Sequence, residues 1–191
     1  VRDVLHRRLD CQRTLLQQLA EREQPSDDWR DAYQNAMRLS VEMGQRLAGW
    51  SYREGLDGAA VRDAFRGWEG VASRFYFDVL TRAVPPGLAI GGRSRRPAFD
   101  PFNALLNYLY GMLYPMVELA LMKAGLDPAV GVLHSDDYNR PTLVFDLIEG
   151  YRHWAEHTAV ELCRSGVLPD DAFRESDAGG IVLKGDGALA A

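Results

Sequence analysis

The chain has 191 residues, 47% of them hydrophobic and 26% charged, so it can bury a core and is not a disordered polypeptide. Its net charge of −5 excludes a uniformly basic nucleic-acid binder, but the charge is uneven. Between Arg62 and Arg96 seven arginines stand against three acids, which leaves room for a local basic face.

Two cysteines, Cys11 and Cys163, make neither a disulfide framework nor a CxxC pair, and a reducing cytoplasm is the expected setting. No leader peptide is evident, no apolar run reaches the ~20 residues needed to span a bilayer, and no membrane partner is expected.

Helical spacing runs through the chain. Leu5, Leu9, Leu15, Leu16 and Leu19 predict an amphipathic helix over 1–22. Pro25, Ser26, Asp27 and Asp28 end it and cap a second helix over 27–48. A third is expected over 59–82, stopping before Pro85-Pro86-Gly87. The stretch 83–98 is a loop rich in Gly, Pro and Arg, expected to be mobile until DNA binds. Asp100 as N-cap and Pro101 at N1 open a fourth helix, 101–124, which Gly125 stops. A loop carries His134, and a single helix is expected over 141–165. An acidic segment, a strand at Ile181-Val182-Leu183 and a turn at Gly185-Asp186-Gly187 follow. The expected architecture is one all-α domain over 1–191, with a short strand or hairpin near the C-terminus.

Two helices place acids beside their apolar stripes. In the third, Val61, Phe65, Trp68, Ala72, Phe75 and Val79 form the stripe, and Glu69 sits at its edge with Arg62 and Arg66 close by. In the last, Asp146 and Glu149 are three residues apart on one face beside Leu143, Val144, Leu147 and Tyr151. The plain alternative is a set of solvated rim acids paired with arginines. Carboxylates with one imidazole suit Mn²⁺ or Mg²⁺ better than structural zinc. His153-Trp-Ala-Glu156-His157 also matches the HxxEH pattern of zinc peptidases, with Glu156 as its base. That pattern needs a third ligand, and only Glu161 and Glu175 are glutamates downstream.

The stretch "DPFNALLNYLYGMLY…ALMKAGLDPAVGVLH…RPTLVFDLIEGYR" resembles the helical C-terminal domain of the CRISPR-associated spacer-acquisition integrases. "GWEGVASRFYFDVL" resembles that family's glutamate-bearing helix, and "GGRSRRPAFDPFNALLNY" the basic stretch before its long helix. The likeness runs from about Gly67 to Gly187. It implies an all-helical catalytic lobe with one divalent ion, Mg²⁺ or Mn²⁺, on Glu69, His134 and Glu149, with Asp146 as a close supporting acid. It further implies DNA contacts from Arg62, Arg66, Arg74, Tyr76, Arg93, Arg95, Arg96 and Asn103.

The resemblance implies an endonuclease/integrase that joins the 3′-hydroxyl ends of short spacer DNA to a CRISPR repeat by transesterification. Its partners would be double-stranded and branched DNA, a second copy of the chain or a higher assembly, and a small second CRISPR subunit. The family's β-rich N-terminal domain is expected to be missing from this stretch, which opens with a helix: either it was left out of this chain or the chain is a compact or fused variant. The alternatives are a nuclease that cuts branched DNA without joining, a non-catalytic scaffold, and the HxxEH peptidase.

Overall fold

A computed structural model describes residues 2–22, 26–50, 58–134, 140–169, 171–177 and 179–184. Asp136, Asp137 and the Gly185-Asp186-Gly187 turn lie outside them. The elements are α1 (Arg2–Arg22), α2 (Asp27–Gly49), α3 (Gly58–Ala83), α4 (Pro101–Lys123), α5 (Thr142–Ile148), α6 (Arg152–Ser165), β1 (Phe173–Glu175) and β2 (Ile181–Leu183).

The helix starts follow from short polar side chains. Ser26 accepts the Trp29 N–H at 3.3 Å, and Asp100 accepts the Asn103 N–H at 2.7 Å with Pro101 behind it. Gly125 ends α4 at φ +75°, a left-handed conformation that disfavours a side chain.

The apolar faces meet in one main core. It joins Leu15, Leu16 and Leu19 of α1 with Trp29 of α2, Leu80 of α3, Phe102, Leu105 and Leu106 of α4, and Val160 of α6. A second cluster joins Leu5, Leu9, Met43, Leu47, Phe65 and Leu133, and a third joins Leu113, Val117, Leu121, Val144 and Ile148. The second and third clusters hold the two ends of the segment that carries His134. Burying each such Leu or Phe contributes about 1.5–3 kcal/mol.

Two expectations change, and the hairpin allowed for near the C-terminus is present. The single helix expected over 141–165 is two helices, broken at Glu149–Tyr151. There Gly150 N–H and Tyr151 N–H donate to carbonyls three residues back, at 3.1 and 2.9 Å, instead of four. Gly150 lies close to Arg7 and Val4 of α1, each about 3.7 Å from where a side chain would begin. The acidic tail segment forms β1, which pairs antiparallel with β2 in the register Phe173↔Leu183, Arg174↔Val182 and Glu175↔Ile181. Finally, α4 is long and apolar enough to meet the length and composition of a bilayer span, contrary to expectation. It carries Phe102, Leu105, Leu106 and Leu109 into the main core, against α6 and β2.

The hairpin also supports the arginine loop. The Ile181 N–H donates to the Ala98 carbonyl at 2.8 Å. A side chain at Gly180 would run into Pro97 and the Ala98 carbonyl, so the close approach requires glycine there.

Candidate metal centre

Helix α5 presents Asp146 to the loop before it. One carboxylate oxygen accepts the N–H groups of Val132 and Leu133 at 2.5 and 2.8 Å. The other accepts the His134 N–H at 3.0 Å and lies 2.7 Å from His134 Nδ1. Burial pushes the Asp146 carboxyl up, but the hydrogen bonds from His134, Val132 and Leu133 outweigh it and hold the group below its ordinary range. With Nδ1–H on Asp146, the Nε2 lone pair of His134 is left for a ligand. His134 keeps a third of its side-chain surface exposed, whereas Asp146 keeps 3%. Gly131 lets the loop close over α5, since a Cβ there would stand 2.7 Å from Thr142 and 2.8 Å from the His134 carbonyl.

Glu149 does not join this pair. The break after α5 turns it inward, where Arg152 Nη2 meets Oε1 at 3.0 Å and Arg8 Nε meets Oε2 at 3.1 Å. The same Arg8 nitrogen lies 3.5 Å from Glu69 Oε1, so the two glutamates face each other across one guanidinium. Glu69 also accepts the Ser73 hydroxyl at 2.5 Å, and Ser73 in turn accepts from Gln12 at 3.2 Å.

Arg8 Nη2 donates to Glu156 at 2.9 Å, and the hydroxyls of Tyr76 and Tyr110 donate to Glu156 at 2.8 and 2.7 Å. Burial disfavours charge on Glu156, but Arg8 and the two tyrosines overcome it and hold the carboxyl below its ordinary range. Burial dominates at Glu149 and raises its carboxyl despite Arg152 and Arg8. The Tyr76 and Tyr110 hydroxyls are pushed up by burial and by the Glu156 charge.

Among the described residues no three His, Cys, Asp or Glu side chains form a ready-made metal cage. Asp146 serves the His134 loop, and Arg8 stands between Glu69 and Glu149. The donor types nonetheless suit a hard divalent ion: the carboxylates of Glu69 and Glu149 and the imidazole of His134, with Glu149 Oε2 buried, ion-paired to Arg8 and without a hydrogen bond among the described residues.

A cleft of about 230 Å³ opens beside Glu69, walled by Arg8, Ser73, Arg74, Arg93, Arg95 and Arg152. A larger one of about 580 Å³ shares Arg93, Arg95 and Arg152 with it and reaches Phe145, whose ring lies 5.9 Å from that of His134. The arginine loop is hydrogen-bonded to α4. Arg93 donates to Asn103 at 2.8 Å and to Asn107 at 2.6 Å, and Asn107 donates to the Arg95 carbonyl at 2.5 Å. Arg95 and Arg96 remain exposed. Arg74 is exposed and lies over the Phe75 ring. Arg66 pairs with Asp63 at 2.6 Å on the surface, and Arg62, half-buried, sits one turn earlier on α3.

Two expected DNA contacts lie inside instead. Tyr76 is buried with its hydroxyl on Glu156, because its position on α3 faces the main core. Asn103 is fully buried and holds the loop through Arg93, Ser94, Gly92 and Asp100. As placed, neither offers a polar atom to a phosphate. In the HxxEH segment, Glu156 is fully buried and bonded to Arg8, Tyr76 and Tyr110, so it has no access to water as a peptidase base.

Arg8, Asn107, Tyr110, Arg152 and Glu156 as a buried anchor are absent from the sequence expectations. Arg8 left a readable signal: it falls on the apolar face of α1, between Leu5 and Gln12 and next to Leu9, where a cation needs a partner.

Solved structures similar in fold include a casposase bound to integration product (TM-score 0.80, 22% identity, covering 99% of this chain and 49% of that one) and a partial Cas6-RT-Cas1–Cas2 complex (TM-score 0.78, 24% identity, 98% and 54%). Among curated relatives, CRISPR-associated endonuclease Cas1 2 of Rhodospirillum rubrum is 42% identical over 132 residues, which is 66% of this chain and 38% of that protein. CRISPR-associated endonuclease Cas1 1 of Thermus thermophilus is 40% identical over 132 residues, 69% of this chain and 41% of its own. The chain thus matches about two-fifths of the length of these relatives. The family model described as CRISPR associated protein Cas1 matches residues 1–190, and with this helical lobe in place the chain belongs to the Cas1 family.

Proposed function

We propose that residues 1–191 form one catalytic lobe of a divalent-metal-dependent DNA integrase/endonuclease of CRISPR adaptation. The reading is that it joins the 3′-hydroxyl ends of short spacer DNA to the CRISPR repeat. One observation carries it: Glu69 shares a cleft with Arg74, Arg93, Arg95 and Arg152, so an acid suited to a metal stands among cations suited to phosphates. Mg²⁺ or Mn²⁺ on Glu69, His134 and Glu149 would supply charge stabilisation at the scissile phosphate. Arg74, Arg95 and Arg96 hold the DNA backbone, and Arg93 is aimed by Asn103 and Asn107. Asp146 holds the His134 ring, so the lobe contributes positioning and electrostatics without a covalent enzyme intermediate.

In the joining step the attacking 3′-hydroxyl loses its proton and its oxygen bonds to phosphorus. The original P–O bond of the repeat breaks, and the departing 3′-oxygen takes up a proton. One phosphodiester replaces another. The reaction belongs in the cytoplasm, on double-stranded and branched DNA, with at least two copies of the chain. The similarity to Cas6-RT-Cas1–Cas2 complexes supports a small second CRISPR subunit as partner. The test incubates the intact protein with labelled spacer-length duplex and a plasmid carrying a repeat array, with Mn²⁺ and with excess EDTA. Joined strands that disappear in EDTA support the reading. Cut ends without joining favour the nuclease alternative, and joining that persists in EDTA rules out the metal.

A further inference from the structure

The buried Arg8 is more than the shared counter-ion of three acids. Its side chain is 1% exposed, yet it reaches Glu69 on α3, Glu149 after α5 and Glu156 on α6. Stability alone is a poor reason for such a group, since a buried ion pair often contributes less than apolar residues of the same volume. Its pairing is also uneven. Among the described residues only Nη2 makes an aligned hydrogen bond, to Glu156, while Nε faces the two glutamates at ion-pair distance and Nη1 has no hydrogen-bond partner. Glu156 is the fixed end, because Tyr76 and Tyr110 complete its hydrogen bonds inside the core. Glu69 and Glu149 are the adjustable end: Glu69 lines the cleft, and Glu149 lies behind Arg8 and Arg152, which line it too.

We infer that Arg8, anchored on Glu156, is the positioning residue of the reaction: it orients the Glu69 and Glu149 carboxylates toward one another so that they act as a pair. The inference rests on the metal reading given above. Without the guanidinium the two acids would face each other as like charges and turn apart. A fork is needed as well as a charge, because one group must hold Glu156 through one nitrogen and face two further carboxylates through another. A lysine ammonium is a single point charge on a flexible stem and cannot keep all three arrangements.

The experiment compares the intact protein with Arg8→Lys and with the paired variant Arg8→Met/Glu156→Gln, which removes the buried cation together with its anchor and so leaves no orphaned charge between them. Three readouts are taken: thermal unfolding, the electron paramagnetic resonance spectrum of bound Mn²⁺, and the rate of strand joining at saturating Mn²⁺ over a range of DNA concentrations. Both variants are expected to fold and bind DNA with unchanged half-saturation. The Mn²⁺ spectrum should change, and the maximal joining rate should fall about tenfold or more, because misplaced ligands act on turnover. Wild-type spectrum and wild-type joining rate in either folded variant would overturn the inference. A joining loss that only tracks loss of folding, with an unaltered Mn²⁺ spectrum, would reduce Arg8 to a structural residue and overturn it equally. If the unsubstituted protein binds no Mn²⁺, the metal reading itself falls and this inference with it.

Discussion

Asp146 and His134 form one unit: a carboxylate oxygen lies 2.7 Å from the imidazole Nδ1, while the carboxylate also accepts three consecutive backbone N–H groups at 132–134. Asp146 therefore fixes the loop and the ring together. Asp146→Ala would orphan those N–H groups. Urea unfolding should show a loss of about 2–4 kcal/mol, since a buried donor without a partner costs about 1–3 kcal/mol and the loop can relax. Joining should be lost with it. A variant with unchanged stability would mean that the loop does not depend on this carboxylate.

Gly131→Ala tests the same loop without touching a polar group. A Cβ would stand 2.7 Å from Thr142, so either the loop or α5 must move. The cost expected from denaturant unfolding is about 1–3 kcal/mol, with a larger loss in joining than in stability because His134 moves. Equal activity to the unsubstituted chain would show that the loop tolerates the shift.

The buried carboxylate Glu156 gives a pH prediction. Arg8 and the tyrosine hydroxyls hold its folded-state value below the ordinary one despite burial. Its contribution to stability is thus fully present above the unfolded value of about 4.3 and is lost as pH falls through the lower folded value. Glu149 runs the other way, because burial raises it, and its share weakens as pH rises through that raised value. Unfolding free energy measured between pH 6 and pH 3 should fall, and Glu156→Gln should flatten the acid side of that curve. An unchanged slope in the variant would assign the acid loss to other groups.

The arginines divide by exposure. Arg95→Ala and Arg96→Ala should weaken DNA binding across all sequences, and each should reduce the slope of log K against log salt by about 0.9 for every phosphate left without its cation. Tyr76→Phe and Asn103→Ala should leave that slope unchanged. Their effect belongs to stability, at about 1–3 kcal/mol for a buried partner left unpaired. Fluorescence anisotropy over a salt series separates the two groups, and a reduced slope for Tyr76→Phe would contradict the interior placement.

Much of the fold is readable from the sequence. The first four helices follow from leucine spacing, Ser26 and Asp100 caps and the Gly125 stop, all of which act through neighbouring residues. Asp146 and Glu149 lie three apart, which makes them look like a pair aimed at one target. Local spacing does not show the break at Glu149–Tyr151, where Gly150 meets Arg7 and Val4, residues more than 140 positions earlier in the chain. Tyr76 and Asn103 look like polar groups beside a site, yet which face of a helix meets the core is decided by its tertiary neighbours. The role of Arg8 is hidden for the same reason: its partners come from three other parts of the chain.

His134 is the sharpest handle on the metal-dependent reading, since its side chain is a third exposed and its loss removes a proposed ligand while leaving Asp146 bound to the 132–134 backbone. The direct measurement is strand joining by intact His134→Ala across a Mn²⁺ titration, with folding verified by thermal unfolding. Joining should be absent at every Mn²⁺ concentration while the helical fold persists. Joining at the unsubstituted rate in the folded variant would contradict a metal centre built on Glu69, His134 and Glu149.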